Sequence, residues 1–75
     1  MKWEKITNNV HSLKLNQGNY LYEAVIGKYE AAYDLTINFG LKTGNCFQCS
    51  AYCKTISQAK QLEARIRLTI METYL

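Results

Sequence analysis

Tyr33-Asp34-Leu35-Thr36-Ile37-Asn38-Phe39 alternates without a break, apolar at every odd position and polar at every even one. A period of two sends successive side chains to opposite faces of an extended chain, so the segment reads as a strand with one face toward a core. Residues 20–26 repeat the pattern, with Tyr20, Tyr22, Ala24 and Ile26 on one face and Leu21, Glu23 and Val25 on the other. Gly27-Lys28 marks the break between these two strands. Residues 10–15 alternate more weakly through His11, Leu13 and Leu15, and Asn16-Gln17-Gly18-Asn19 is a cluster of turn formers that reads as a hairpin. Trp3 and Ile6 are spaced to fold back over one end of the core.

Beyond Phe39, residues 40–45 contain two Gly and an Asn and read as a loop. Residues 46–54 can then form a fourth strand with Phe47, Cys49, Ala51 and Cys53 facing inward. The period changes at Thr55. Thr55-Ile56-Ser57-Gln58 has the spacing of a capping box, in which the Thr hydroxyl accepts from the amide three residues on and the Gln side chain reaches back. A helix follows over about 56–74. The expectation is one domain spanning residues 1–75, of α+β class, in which an antiparallel meander of three to four strands (about 10–15, 20–26, 33–39 and 46–54) is packed by one C-terminal helix.

The helix carries two apolar stripes. Ala59, Leu62, Ile66, Ile70 and Thr73 recur at helical spacing, and so do Ala64, Leu68, Met71 and Leu75. At about 100° per residue the two stripes lie roughly 150° apart, so one sheet cannot bury both. Either the N-terminal Trp3 segment wraps the second stripe, or it meets a partner or a second copy of the chain. A 75-residue chain has room for one small core and commonly adds a partner subunit.

Composition narrows the class. Apolar residues are 48% and charged residues 20%, the ordinary globular range and far from disorder. The net charge of +3 arises from scattered Lys and Arg with acids between them, which permits nucleic-acid binding without arguing for it. Lys2, Glu4 and Lys5 stand where a secretory signal would be apolar, and no stretch is long enough to cross a bilayer. Three Cys, an odd number, suit free thiols in a cytoplasm.

Few residues group as chemistry requires. Cys46, Cys49 and Cys53 form C-x2-C-x3-C. On a strand, however, Cys46 and Cys49 face opposite ways and Cys49 and Cys53 lie about 13 Å apart, too far for one zinc. Buried structural thiols are the expected reading. The single His, His11, would meet a thiol only by accident of folding and reads as a strand-edge residue with ordinary solvation. Glu23 and Asp34, the one pair of acids on adjacent strands, fall on a solvated face. The four Gly are isolated turn residues rather than a phosphate loop. No catalytic residue, cofactor or metal is expected.

The outer sheet face sets Leu21, Val25 and Tyr52 among polar groups, a mixture resembling a protein interface. With Leu68, Met71 and Leu75 of the second stripe these are the candidate interface residues. An open meander also leaves a strand edge free to recruit another chain. Lys54, Lys60 and Arg67 are the candidates for a nucleic-acid alternative.

Thr55-Ile56-Ser57-Gln58-Ala59-Lys60, with the Trp3-Glu4 opening and the Tyr-rich hairpin, resembles the strand-to-helix junction of short phage and mobile-element proteins. That resemblance implies a small protein in the bacterial cytoplasm that binds and inhibits a host protein or complex, including defence complexes. Ser57, Ala59, Lys60 and Ala64 resemble the last helix of double-stranded-RNA-binding domains, but the N-terminal helix and the Lys-Lys pair of that family are missing. The expected function is therefore a non-enzymatic protein-binding module acting by steric occlusion, with a small nucleic-acid-binding domain and a structural homodimer as alternatives.

Overall fold

A computed structural model describes residues 3–44 and 46–74, the side chain of Gln17 excepted. The alternating segments become strands β1 (Glu4–Thr7), β2 (Val10–Gln17), β3 (Tyr20–Tyr29), β4 (Ala32–Leu41) and β5 (Cys46–Cys53), and the last segment becomes helix α1 (Ile56–Tyr74). The strands pair antiparallel in chain order, β1-β2-β3-β4-β5. The sheet thus has five strands rather than three to four. The additional one, β1, is four residues long and exposed throughout, so it carries no alternation to read. Its pairs Glu4↔Ser12 and Lys5↔His11 hold it to β2, and the register slips between Lys5 and Thr7. Ile6 falls in that irregularity and is exposed, so only Trp3 of the expected pair reaches the core.

The hairpins explain where the strands end. Gln17↔Tyr20 closes β2 onto β3 around Gly18-Asn19, with Gly18 at φ 57°, the left-handed region a two-residue hairpin loop requires. Gly27 does not break β3. It stays in the ladder opposite Asp34, and the strands continue to Tyr29↔Ala32. The reversal comes at Glu30-Ala31, where Glu30 takes φ 56°, a conformation that costs a non-glycine residue roughly 1 kcal/mol. β4 likewise runs through Gly40 to Leu41 before the loop turns.

Pairing places Tyr22, Ala24 and Ile26 of β3 beside Phe39, Ile37 and Leu35 of β4 on one face. Leu13 joins them from β2, and all seven are at most 4% exposed. Ala59 and Ile70 of α1 complete the buried core, with Leu62 and Ile66 packed against it. Thr73 is exposed instead, its hydroxyl donating to the carbonyl of Thr69 at 2.8 Å. Tyr74 ends the helix against Phe39, with ring centroids 5.6 Å apart.

The N-terminus of α1 forms as its spacing requires. Thr55 Oγ1 accepts from the Gln58 amide at 3.1 Å. The Gln58 side chain reaches back to the amide of Lys54 at 3.2 Å, one residue before the cap. Two orphan donors are thereby satisfied where β5 hands over to the helix.

Candidate protein interface

The two faces of the sheet differ because one 19-residue helix covers only one of them. What fixes the helix there is partly polar. Glu63 is 1% exposed, and its carboxylate accepts a 2.6 Å hydrogen bond from the Tyr22 hydroxyl. Arg67, one turn on, brings Nε within 3.4 Å of the same oxygen. The pair spans sheet and helix, so helix rotation or sliding would strand a buried charge. Burial first, and then the bond to Glu63, hold the Tyr22 phenol far above the ordinary tyrosine range. Residue type hid this contact: Glu63 lies four residues after Ala59 and three before Ile66, inside the first stripe, but a Glu reads as solvent-facing.

The opposite face is open. Leu21 is 50% and Tyr52 72% exposed, Tyr29 is exposed beside them in the alternation, and Val25 is half-buried near the middle. Around them lie Asp34, Thr36, Gln48 and the exposed ion pair Lys14–Glu23 at 3.6 Å. At the Leu21 end the face sinks into a shallow trough of about 580 Å³ bordered by Leu21, Glu23, Asn38, Gly40, Cys46 and Gln48. Gly40 contributes to its depth, since a Cβ built there would meet nothing within 4 Å. The sequence reading placed Gly40 in a loop and so missed it. The continuing alternation to Leu41 was the signal.

The remaining candidates separate. Leu68 is 61% exposed on the side of α1 away from the sheet, Met71 is half-buried, and Leu75 lies outside the described residues. Trp3 does approach the helix, but its partner is the Lys60 ammonium, 5.8 Å from the ring centroid, rather than Leu68. The three basic candidates do not converge as free cations: Lys60 sits over Trp3, Arg67 pairs with Glu63, and Lys54 is exposed.

His11 departs from expectation. It lies in β2 between Lys5 and Ile26, half-buried rather than at a strand edge. Burial, then Lys60 and Lys5, pull its pKa below the usual 6.5. Cys49 and Cys53 pack half-buried on the helix side and Cys46 is exposed; burial pushes the Cys49 thiol up, away from the reactive thiolate. Among the described residues no three His, Cys, Asp or Glu side chains group as a metal site, and no helix is long and apolar enough to cross a membrane. Glu23 and Asp34 stand opposite Asn38 and Gly27 respectively, four ladder positions apart, so they do not form a carboxylate pair.

No family model, curated protein or solved structure matches this chain.

Proposed function

We propose that this chain is a non-enzymatic protein-binding module that docks through the open face of its sheet. The observation that supports this most is the open face itself, where Leu21, Val25, Tyr29 and Tyr52 stand as apolar anchors among polar groups, with a trough at the Leu21 end. The four strands β2 to β5, about 4.8 Å apart and eight to ten residues long, give a face of roughly 600 Å² in projection. That approaches the about 800 Å² each side of a standard complex buries. Tyrosine suits such a role, since it adds apolar area with a polar tip and little rotamer entropy. The occupant that fits is a folded protein presenting an apolar knob to the trough and polar groups to its rim.

The resemblance to short phage and mobile-element proteins supports a narrower form, an inhibitor of a host protein complex acting by steric occlusion. Occlusion asks for area and affinity only. The nucleic-acid reading is weaker because Lys60 and Arg67 are engaged within the chain.

The test compares captures from a bacterial lysate by wild-type protein, Gly40→Val and Leu68→Asp. Gly40→Val narrows the trough at a position where an added Cβ meets nothing within 4 Å, and Val suits a strand. A protein held by the wild type and by Leu68→Asp but lost by Gly40→Val is the expected result. A saturable partner insensitive to Gly40→Val would contradict the assignment of the face. Capture of nucleic acid that weakens steeply with salt would favour the alternative.

A further inference from the structure

The two edges of the sheet are built differently. β1 is short, carries Glu4 and Lys5, and has its register interrupted before Thr7. Short length, charge and irregularity are the devices by which an edge strand is kept from pairing with another chain. β5 has none of them. It runs eight residues, Cys-Phe-Gln-Cys-Ser-Ala-Tyr-Cys, with no charge and no Pro, and pairs with β4 in unbroken register from Tyr33↔Cys53 to Gly40↔Cys46. Among the described residues its other side has no neighbour in the sheet.

We infer that β5 pairs antiparallel with β5 of a second copy of this chain, joining two sheets into one of ten strands. A second copy is the occupant that the charge pattern favours. On a chain of net charge +3, an uncharged strand is the part that can oppose itself without setting like charges against one another. A two-fold axis normal to the sheet brings each side chain against one from the same face. Phe47, Cys49, Ala51 and Cys53 then meet one another on the helix side, and Gln48, Ser50 and Tyr52 meet on the open side.

The helices allow this arrangement. α1 packs mainly over β4, so two copies on the same face of the joined sheet stand about 14 Å apart at about 4.8 Å per strand. That exceeds the 8–10 Å of helices in contact, so the two do not collide. Phe47, left 38% exposed beside the edge, gains cover in the space between them. The union also continues one open face into the next, doubling the surface assigned above without depending on that assignment.

Sedimentation velocity of the wild type, Ser50→Lys, Ser50→Glu and their mixture tests the inference. Ser50 is exposed on β5, so neither charge disturbs the core. The wild type is expected at twice 8.7 kDa. Each charged variant should associate about tenfold more weakly, from like charges opposed across the axis, and the mixture should recover. Leu68→Asp and Gly40→Val, which alter the other two exposed surfaces, should remain dimeric. A wild type that stays at 8.7 kDa at every concentration, charged variants that dimerise as well as the wild type, or a dimer lost in Leu68→Asp or Gly40→Val would overturn the inference.

Discussion

Tyr22 of β3 and Tyr52 of β5 belong to one sheet, the first 2% and the second 72% exposed. Both belong to alternating strands and both are tyrosines. What separates them is parity: Tyr22 falls on the face α1 covers, where its hydroxyl finds Glu63, and Tyr52 falls on the face that none of the described elements covers. Each strand from β2 to β5 therefore contributes one set of residues to the helix side and the alternate set to the open surface. The teaching of the comparison is that truncations should divide by parity rather than by size or residue type.

The largest effect tests that division directly. Ile37→Ala opens a cavity on the covered face and is expected to cost about 2–5 kcal/mol. Tyr52→Ala, on the open face, should stay within about 0.5 kcal/mol. Denaturant melts of the two variants suffice, and a Tyr52→Ala loss approaching that of Ile37→Ala would break the comparison.

Next comes the polar contact under the helix. Glu63→Ala leaves the Tyr22 hydroxyl without its acceptor and takes the carboxylate from Arg67, so a loss of about 2–3 kcal/mol is expected. Tyr22→Phe should cost about 1–2 kcal/mol, with the tertiary signal and the helix lost together in one transition. Unchanged stability in both variants would mean that the helix is held by its apolar stripe alone.

A smaller change has the opposite sign. Glu30 holds φ 56° in the exposed β3–β4 turn, so Glu30→Gly removes strain at some entropic cost and should raise stability by up to about 1 kcal/mol. A lower melting temperature would show that the turn depends on the side chain.

The smallest effect is the pH dependence from His11. Its folded pKa lies below 6.5, so the unfolded chain binds the proton more readily. Stability from this group is full above pH 6.5, falls as pH drops below 6.5 toward the folded value, and then levels off. His11→Gln should flatten that part of the stability profile. A wild-type curve that rises on acidification there would reverse the sign.

Much of this was legible in the residues because parity and helical spacing follow from backbone geometry. β2 to β5 and α1 each carry a pattern longer than a few residues, and the switch at Thr55 falls where the cap forms. What stayed hidden lacked pattern or contradicted residue type. Glu-Lys-Ile-Thr in β1 is exposed on every residue, so pairing with β2 alone makes it a strand. Gly27 suggests a turn by type, yet the reversal is made by Glu30, whose type argues against φ 56°. Glu63 sits at a core position with a side chain that Arg67 and a tyrosine distant in sequence together satisfy. Of the candidate surface, Leu21, Val25 and Tyr52 followed from alternation, whereas the trough beside Gly40 depends on the register of strands far apart in sequence.

Nitration of the folded protein with tetranitromethane, mapped residue by residue by mass spectrometry, probes the contrast between the faces in one reaction. Tyr52 and Tyr29 should be modified readily while Tyr22, enclosed and held in its phenol form, stays intact until the protein unfolds. Nitration of Tyr22 in the native state, or a Tyr52 as protected as Tyr22 in a lone protomer, would contradict the assignment of one sealed and one open face.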